Sequence, residues 1–208
     1  FFNEGQRIAQ TDTDITSLLM SRPLLESYLR RRVGSLPNVS ILAGREVVDL
    51  RGSPAAISGV MLRDRDGGDV FELPADLVVD ATGRSSRLGE WLERRGFARA
   101  PEERVRIDIG YTSCTYRREP HHARGLKGMA VAVAPPNRRS AVALAQEGDR
   151  WIITLTGHLG EHAPANHADM LEFAKGLPTR AVYDLLCEAE PLTEPVYMRF
   201  PFSQRRHY

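Results

Sequence analysis

The stretch Ala75-Asp76-Leu77-Val78-Val79-Asp80-Ala81-Thr82-Gly83-Arg84-Ser85-Ser86-Arg87 constrains the fold more than any other part of the chain. Leu77, Val78 and Val79 are consecutive and apolar, the pattern of a strand buried on both faces of a parallel sheet. Gly83 has no Cβ, so the backbone there can turn sharply or lie close to a ligand. The polar turn opens a helix expected over roughly residues 86–95. Its first N–H groups would point back at the strand end, where open α/β sheets bind ligands and where a phosphate is well placed.

No Gly-x-Gly-x-x-Gly occurs, although a dinucleotide fold normally opens with that fingerprint. The chain starts at Phe1-Phe2, and residues 202–208 read as an unfinished strand or loop. The expectation is an internal fragment, or the ordered core, of a larger enzyme.

A chain of 208 residues with 42% apolar content is long enough for a real core. The net charge of +1 gives no electrostatic case for nucleic acid or an anionic membrane. No apolar run approaches a membrane span, and no secretory signal is present. Cys114 and Cys187 are far apart and read as small buried hydrophobes in a reduced, cytoplasmic setting.

Along the chain, residues 15–20 read as a strand. Ser21-Arg22-Pro23 then starts a helix, with Ser as cap and Pro in the first turn. Leu24, Leu25, Tyr28, Leu29 and Val33 give that helix one apolar face, and Gly34 stops it. A strand at 39–42 completes a right-handed β-α-β unit. Strands at 46–50, 56–62 and 70–73, split by Arg51-Gly52-Ser53-Pro54 and Asp66-Gly67-Gly68-Asp69, form a meander. The chain then returns to the buried strand at 77–80. After Pro101 the texture changes to alternating strands at 105–116, 129–134, 140–145 and 151–156. Two helices follow, at 166–175 capped by Asn166 with Asp169, and at 179–188 capped by Thr179. The fold class is therefore α/β and α+β, with a domain boundary near residue 99.

The order helix, strand, meander, buried strand and Asp-Ala-Thr-Gly resembles the second half of the FAD-binding domain of flavoprotein monooxygenases of the para-hydroxybenzoate hydroxylase-like fold. The wording Val78-Val79-Asp80-Ala81-Thr82-Gly83-Arg84-Ser85-Ser86-Arg87-Leu88, then Trp91-Leu92-Glu93 and Gly96-Phe97, is similar to the polyprenyl-methoxyphenol hydroxylase-like and polyether epoxidase-like branch. Ile107-Asp108-Ile109-Gly110-Tyr111 and Tyr116-Arg117-Arg118 resemble the first strand of that family's substrate domain. The resemblance implies a partial FAD-binding domain over 1–99 and a substrate-binding antiparallel sheet over 100–208. It implies FAD and NAD(P)H as cofactors, O₂ as co-substrate, and hydroxylation or epoxidation of a small organic molecule. A flavoprotein halogenase, a prenyl-chain reductase and a cofactor-free binding module are the alternatives.

The resemblance places Arg22 near the flavin, where a guanidinium would favour negative charge on the reduced ring. The other reading is a solvated arginine in a first helical turn. Asp80, Thr82 and Gly83 are the expected FAD-side turn, and the alternative is a capped turn with no ligand. Arg84 and Arg87 could reach a nicotinamide cofactor's phosphates or simply face solvent. No catalytic residue is named, because the cofactor supplies the chemistry. His158-Leu159-Gly160-Glu161-His162 matches the spacing of an inverted zinc-protease motif. Gly160 and Pro164 oppose the helix that motif needs, so no metal is expected. His121-His122 reads as solvated loop.

Overall fold

Alternation decides which face of each strand is buried, and β9 shows it plainly. Trp151, Ile153 and Leu155 are each 0% exposed, while Ile152, Thr154 and Thr156 between them are half-buried. The computed structural model describes residues 1–9, 11, 14–162 and 166–207. In chain order the strands and helices begin with β1 (Phe2–Asn3), β2 (Gln6–Arg7), α1 (Arg22–Gly34), β3 (Arg45–Ser53), β4 (Ala56–Asp64), β5 (Phe71–Pro74) and α2 (Leu88–Glu93). They continue with β6 (Glu102–Arg117), β7 (Gly128–Val131), β8 (Arg139–Gln146), β9 (Arg150–Gly157), α3 (His167–Lys175), α4 (Ala181–Glu188) and β10 (Val196–Arg206). The chain divides into two compact units, Phe1–Leu29 with Arg104–Gln204, and Arg30–Glu103 with the residues from Arg205 onward.

The first unit is built on a seven-stranded sheet of order β10-β6-β9-β8-β7-β1-β2. The pairs β6–β9, β8–β9 and β7–β8 are antiparallel, and β1 lies parallel to β7. One face is covered by α3 and α4 through Met170, Phe173, Val182 and Leu185, all buried. β8 contributes only alanines to this core, Ala141, Ala143 and Ala145, which leaves room for Trp151 and Phe173 at close packing. Asn166 caps α3 as expected, accepting from Asp169 N at 2.8 Å. α4 begins at Ala181 rather than at the expected 179, and Thr179 Oγ1 still accepts from Ala181 N at 3.3 Å.

Ser21 caps α1, its Oγ accepting from Leu24 N at 3.2 Å. Glu147, in the β8–β9 turn, holds that cap: Ser21 N and Oγ donate to its two carboxylate oxygens at 2.8 and 2.6 Å. These bonds, with Arg150 beside them, lower the Glu147 pKa to about 2 from an ordinary 4.5. A depressed carboxylate stabilises the fold fully above its unfolded pKa and loses that contribution as pH falls through the folded value. The Ser21–Glu147 tie is therefore expected to fail between pH 4.5 and about 2. Urea midpoints of wild type and Glu147→Gln should differ at pH 7 and converge near pH 2. A difference that is the same at both pH values would show that the tie contributes nothing.

The second unit contains the three-stranded antiparallel meander β3-β4-β5, close to the expected positions. Arg95 fastens α2 to it, donating to Asp49 Oδ1 at 2.9 Å and Leu50 O at 2.6 Å. Four expectations are corrected. Residues 15–20, 39–42 and 77–80 enter no ladder among the described residues, so α1 is not flanked by paired strands and the β-α-β unit is not formed. Leu77 and Val79 are 77% and 76% exposed, not buried. A strand is made by its neighbours' hydrogen bonds, so apolar composition alone does not make one. The apolar face of α1 is likewise uncovered, with Leu24, Leu25, Tyr28, Leu29 and Val33 all exposed. Finally, the chain end, expected as an unfinished strand or loop over 202–208, is strand up to Arg206, and that strand, β10, starts earlier, at Val196. No helix among the described residues is long and apolar enough to cross a membrane.

Candidate functional site

The Asp80 turn organises itself. Asp80 Oδ1 accepts from Thr82 N at 2.8 Å and Thr82 Oγ1 at 2.6 Å, and Oδ2 accepts from Ser86 Oγ. This is an Asx turn, the usual reason for aspartate before a tight reversal. The Ser86 and Thr82 bonds hold the Asp80 carboxyl below its ordinary range. Gly83 follows in the left-handed region at φ +66°, and a Cβ there would meet nothing within 4 Å. Gly83 and Arg84 are exposed. The expected helix over 86–95 is shorter: a 3₁₀ turn, Gly83–Ser85, precedes a six-residue α2. A 3₁₀ turn, and not an α-helix N-terminus, therefore follows residues 77–80 and the Asp80 turn. Beneath it, Val47, Val60, Leu77, Val79, Leu88 and Trp91 line part of an apolar groove of about 390 Å³.

The backbone at Gly83 gives an ordered prediction. Gly83→Ala should cost about 1–2 kcal/mol for the left-handed conformation, and Gly83→Val more, because branching at Cβ stiffens it. Ser85→Ala loses one exposed bond to Thr82 O, worth about 0.5–1.5 kcal/mol at most. Urea midpoints of the three variants check the ranking. Equal losses would mean that the left-handed turn is not required.

Arg22 lies in the first unit, as the first residue of α1. Its side chain is 86% exposed and its Nε donates to Glu26 Oε1 at 2.6 Å. The pair explains how a cation is tolerated at a helix start, where the dipole disfavours it. Asp80, Thr82, Gly83 and Arg84 are together in the second unit.

The uncovered face of the seven-stranded sheet carries Tyr111, Ser113 and Thr115 of β6, Ile152, Thr154 and Thr156 of β9, and Val142 and Leu144 of β8, all half-buried or exposed. Ser113 and Thr154 are directly opposite and share a hydrogen bond of 2.7 Å. Of these eight side chains five carry a hydroxyl and none carries a charge at neutral pH.

The histidines divide. Residues 158–161 form a turn with Leu159 at φ +54° and Gly160 at φ +88°. His158 Nε2 meets Ser140 Oγ at 3.1 Å, and His162 Nε2 lies 3.5 Å from Asp108 Oδ1, so the two rings serve different partners. Burial lowers the His158 pKa. Pro164 lies outside the described residues. His122, expected on the surface, is only 2% exposed. His121, His122 and Glu188 bring one ligand-type atom each within 4.8 Å of one another. His122 Nδ1, however, accepts from Glu119 N at 3.1 Å, which leaves the proton of the neutral ring on Nε2.

Sequence reasoning missed Glu147 and the pairing of Asp108 with Arg199. The second was legible in register. Asp108, Gly110, Thr112, Cys114 and Tyr116 share the inward face of β6, and a charge on that face needs a partner. Burial, with Cys114 beside it, raises the Tyr116 pKa.

No protein-family model matches the chain. Protein Rv3254 of Mycobacterium tuberculosis is 33% identical over 205 residues, covering 94% of this chain, and the chain spans 42% of that relative's length. Among solved structures, the flavin-dependent brominase Bmp2 matches with a TM-score of 0.61 and 14% identity, over 90% of this chain and 45% of that one. Salicylate hydroxylase, solved as a substrate complex, matches at 0.55 and 20% identity, over 88% and 46%. OxyS, the anhydrotetracycline hydroxylase of Streptomyces rimosus, matches at 0.51 and 14% identity, over 81% and 30%. At these identities the likeness is one of fold alone, shared with part of a flavin-dependent brominase and of two hydroxylases.

Proposed function

We propose that this chain is part of a flavin-dependent monooxygenase, a hydroxylase or epoxidase acting on a small organic molecule with FAD, NAD(P)H and O₂ in the cytoplasm. In this reading the FAD-binding domain lies within residues 1–99 and the substrate sheet within 100–208, except that β1 and β2 join that sheet. Wording at Asp80-Ala81-Thr82-Gly83-Arg84 favours the polyprenyl-methoxyphenol hydroxylase-like and polyether epoxidase-like branch. The observation that carries the proposal is the fold likeness over most of this chain, from the Asp-Ala-Thr-Gly turn through the substrate-type sheet. The likeness to Bmp2 favours a halogenase as the second reading.

The residues present fit such a group at the Gly83 turn. The space above Gly83 is open, so a planar ligand can approach its backbone without meeting a side chain. Asp80 has its carboxylate occupied by Thr82 and Ser86, and its role is to set the turn rather than to bind. Arg84, in the same turn, carries the positive charge expected on the cofactor side. When bound, the flavin would take electrons from NAD(P)H and activate O₂ for transfer of one oxygen atom. The open face of the sheet, with Tyr111, Ser113 and Thr154, would orient the substrate.

The test is to express the longer reading frame that contains this chain. Yellow protein that releases FAD on denaturation and consumes NAD(P)H and O₂ is the expected result. Colourless protein that takes up no added FAD would overturn the reading.

A further inference from the structure

One strand edge of the first unit concentrates like charge. Arg104, Arg106 and Asp108 occupy one face of β6 at every second position, about 6.6 Å apart along the strand. Arg199 of the neighbouring β10 reaches across to them. With Pro201 and Phe202 these residues line a groove of about 340 Å³, in which three guanidinium groups face one carboxylate. Repulsion between Arg106 and Arg199 is only partly offset by Asp108, which they share.

The arrangement is built rather than incidental. Asp108 is 8% exposed and sits in the left-handed region at φ +41°, where its carbonyl accepts from Gly160 N at 3.0 Å. Its Oδ1 takes both Nε and Nη2 of Arg199 at 2.8 Å, which fixes that guanidinium and leaves Nη1 without a bond among the described residues. Arg106 comes no nearer than 3.9 Å to Asp108 Oδ2 and donates no hydrogen bond among the described residues. Arg104 lies over the Phe202 ring, 5.0 Å from its centroid, so the groove also has an aromatic floor. His162, 3.5 Å from Asp108 Oδ1, adds no negative charge.

We propose that this groove binds the oxyanion of a small molecule with an apolar or aromatic body. Arg106 and the free edge of Arg199 would take the oxyanion, and Phe202 and Pro201 the body. A carboxylate and a phosphate ester share the necessary chemistry, since arginine binds both through paired N–H groups. The proposal draws nothing from the flavin reading, because the groove lies wholly within the first unit and its occupancy is read without FAD.

The test is calorimetric titration of the full 208-residue chain with benzoate, with benzamide as the uncharged isostere, and with inorganic phosphate. Saturable benzoate binding that weakens with salt, with none for benzamide, is the expected result. Arg106→Ala should weaken it about tenfold or more through loss of a charge-assisted bond, and Arg106→Lys should restore part of that loss. Arg106 is 86% exposed, so the substitution should leave the unfolding midpoint unchanged. Phosphate binding more tightly than benzoate, with the same dependence on Arg106, would assign the site to phosphate esters. No saturable binding of either anion, or binding indifferent to Arg106→Ala, would overturn the proposal.

Discussion

Gly157→Ala is expected to be among the most damaging single substitutions in this chain, costing about 3 kcal/mol or more, at or beyond the usual upper range for overpacking. A Cβ at Gly157 would lie 1.1 Å from the carbonyl oxygen of Glu161 and 2.9 Å from His162 N. Both are backbone atoms, so no rotamer change relieves the overlap. The cause is a local reversal. After β9 the chain turns at 158–160 and lays Glu161 and His162 back across the strand end. Gly157 pairs with Gly110 of β6, and a Cβ at Gly110 would itself lie 2.2 Å from His162 Nδ1. The two facing glycines thus form the trough in which this segment lies. Displacing the segment would also break the Arg139–Glu161 pair. Gly176→Ala should be milder, because the atom in its way is Nη1 at the end of the Arg139 side chain, which can move. Gly89→Ala, on α2 with nothing within 4 Å, should be neutral or stabilising by up to about 1 kcal/mol. Urea titrations followed by circular dichroism give all three midpoints. Gly157→Ala melting like Gly89→Ala would show that the segment does not lie across β9.

The elements that could be read from the sequence are those whose signals are local. The meander was legible because Gly52, Pro54, Gly67 and Gly68 punctuate it, and the strands after Pro101 because their apolar residues alternate. The cap at Asn166 was legible because an Asx side chain and an acidic residue three positions on satisfy the first N–H groups together. What failed depends on partners far along the chain. The runs at 15–20 and 77–80 have the composition of buried strands, but pairing comes from neighbours that no described residue supplies. The chain end was left between strand and loop, and the start of β10 at Val196 went unseen, because Arg199, Gln204, Arg205 and Arg206 give it the look of a polar tail; its place at the sheet edge is what admits those charges. At the candidate site the turn chemistry of Asp80, Thr82 and Gly83 was visible in residue type alone. The bond from Ser21 to Glu147, 126 positions away, was not.

Trp151→Ala should cost about 3–5 kcal/mol, the range for emptying a buried indole position. Trp151 is 0% exposed, at the start of β9, with Tyr116 of β6 and Ala145 of β8 as its register partners. It belongs to the core that joins the sheet to Met170, Phe173, Val182 and Leu185 of the two covering helices. The alanines of β8 cannot expand to refill the space, so the cavity would persist and add to the lost transfer energy. Arg118 lies over the indole, 5.4 Å from its ring, and would lose that contact as well. Trp151→Phe separates volume from polarity. The Nε1 of Trp151 is buried with no hydrogen-bond partner among the described residues, so phenylalanine removes an unsatisfied donor while keeping most of the ring. Its cost should be about 1–2 kcal/mol, because relief of that donor offsets part of the lost area. Urea unfolding of both variants tests the argument. A loss below about 1 kcal/mol for Trp151→Ala would mean that α3 and α4 do not pack on β9, and phenylalanine no better than alanine would mean that the indole nitrogen is bonded after all.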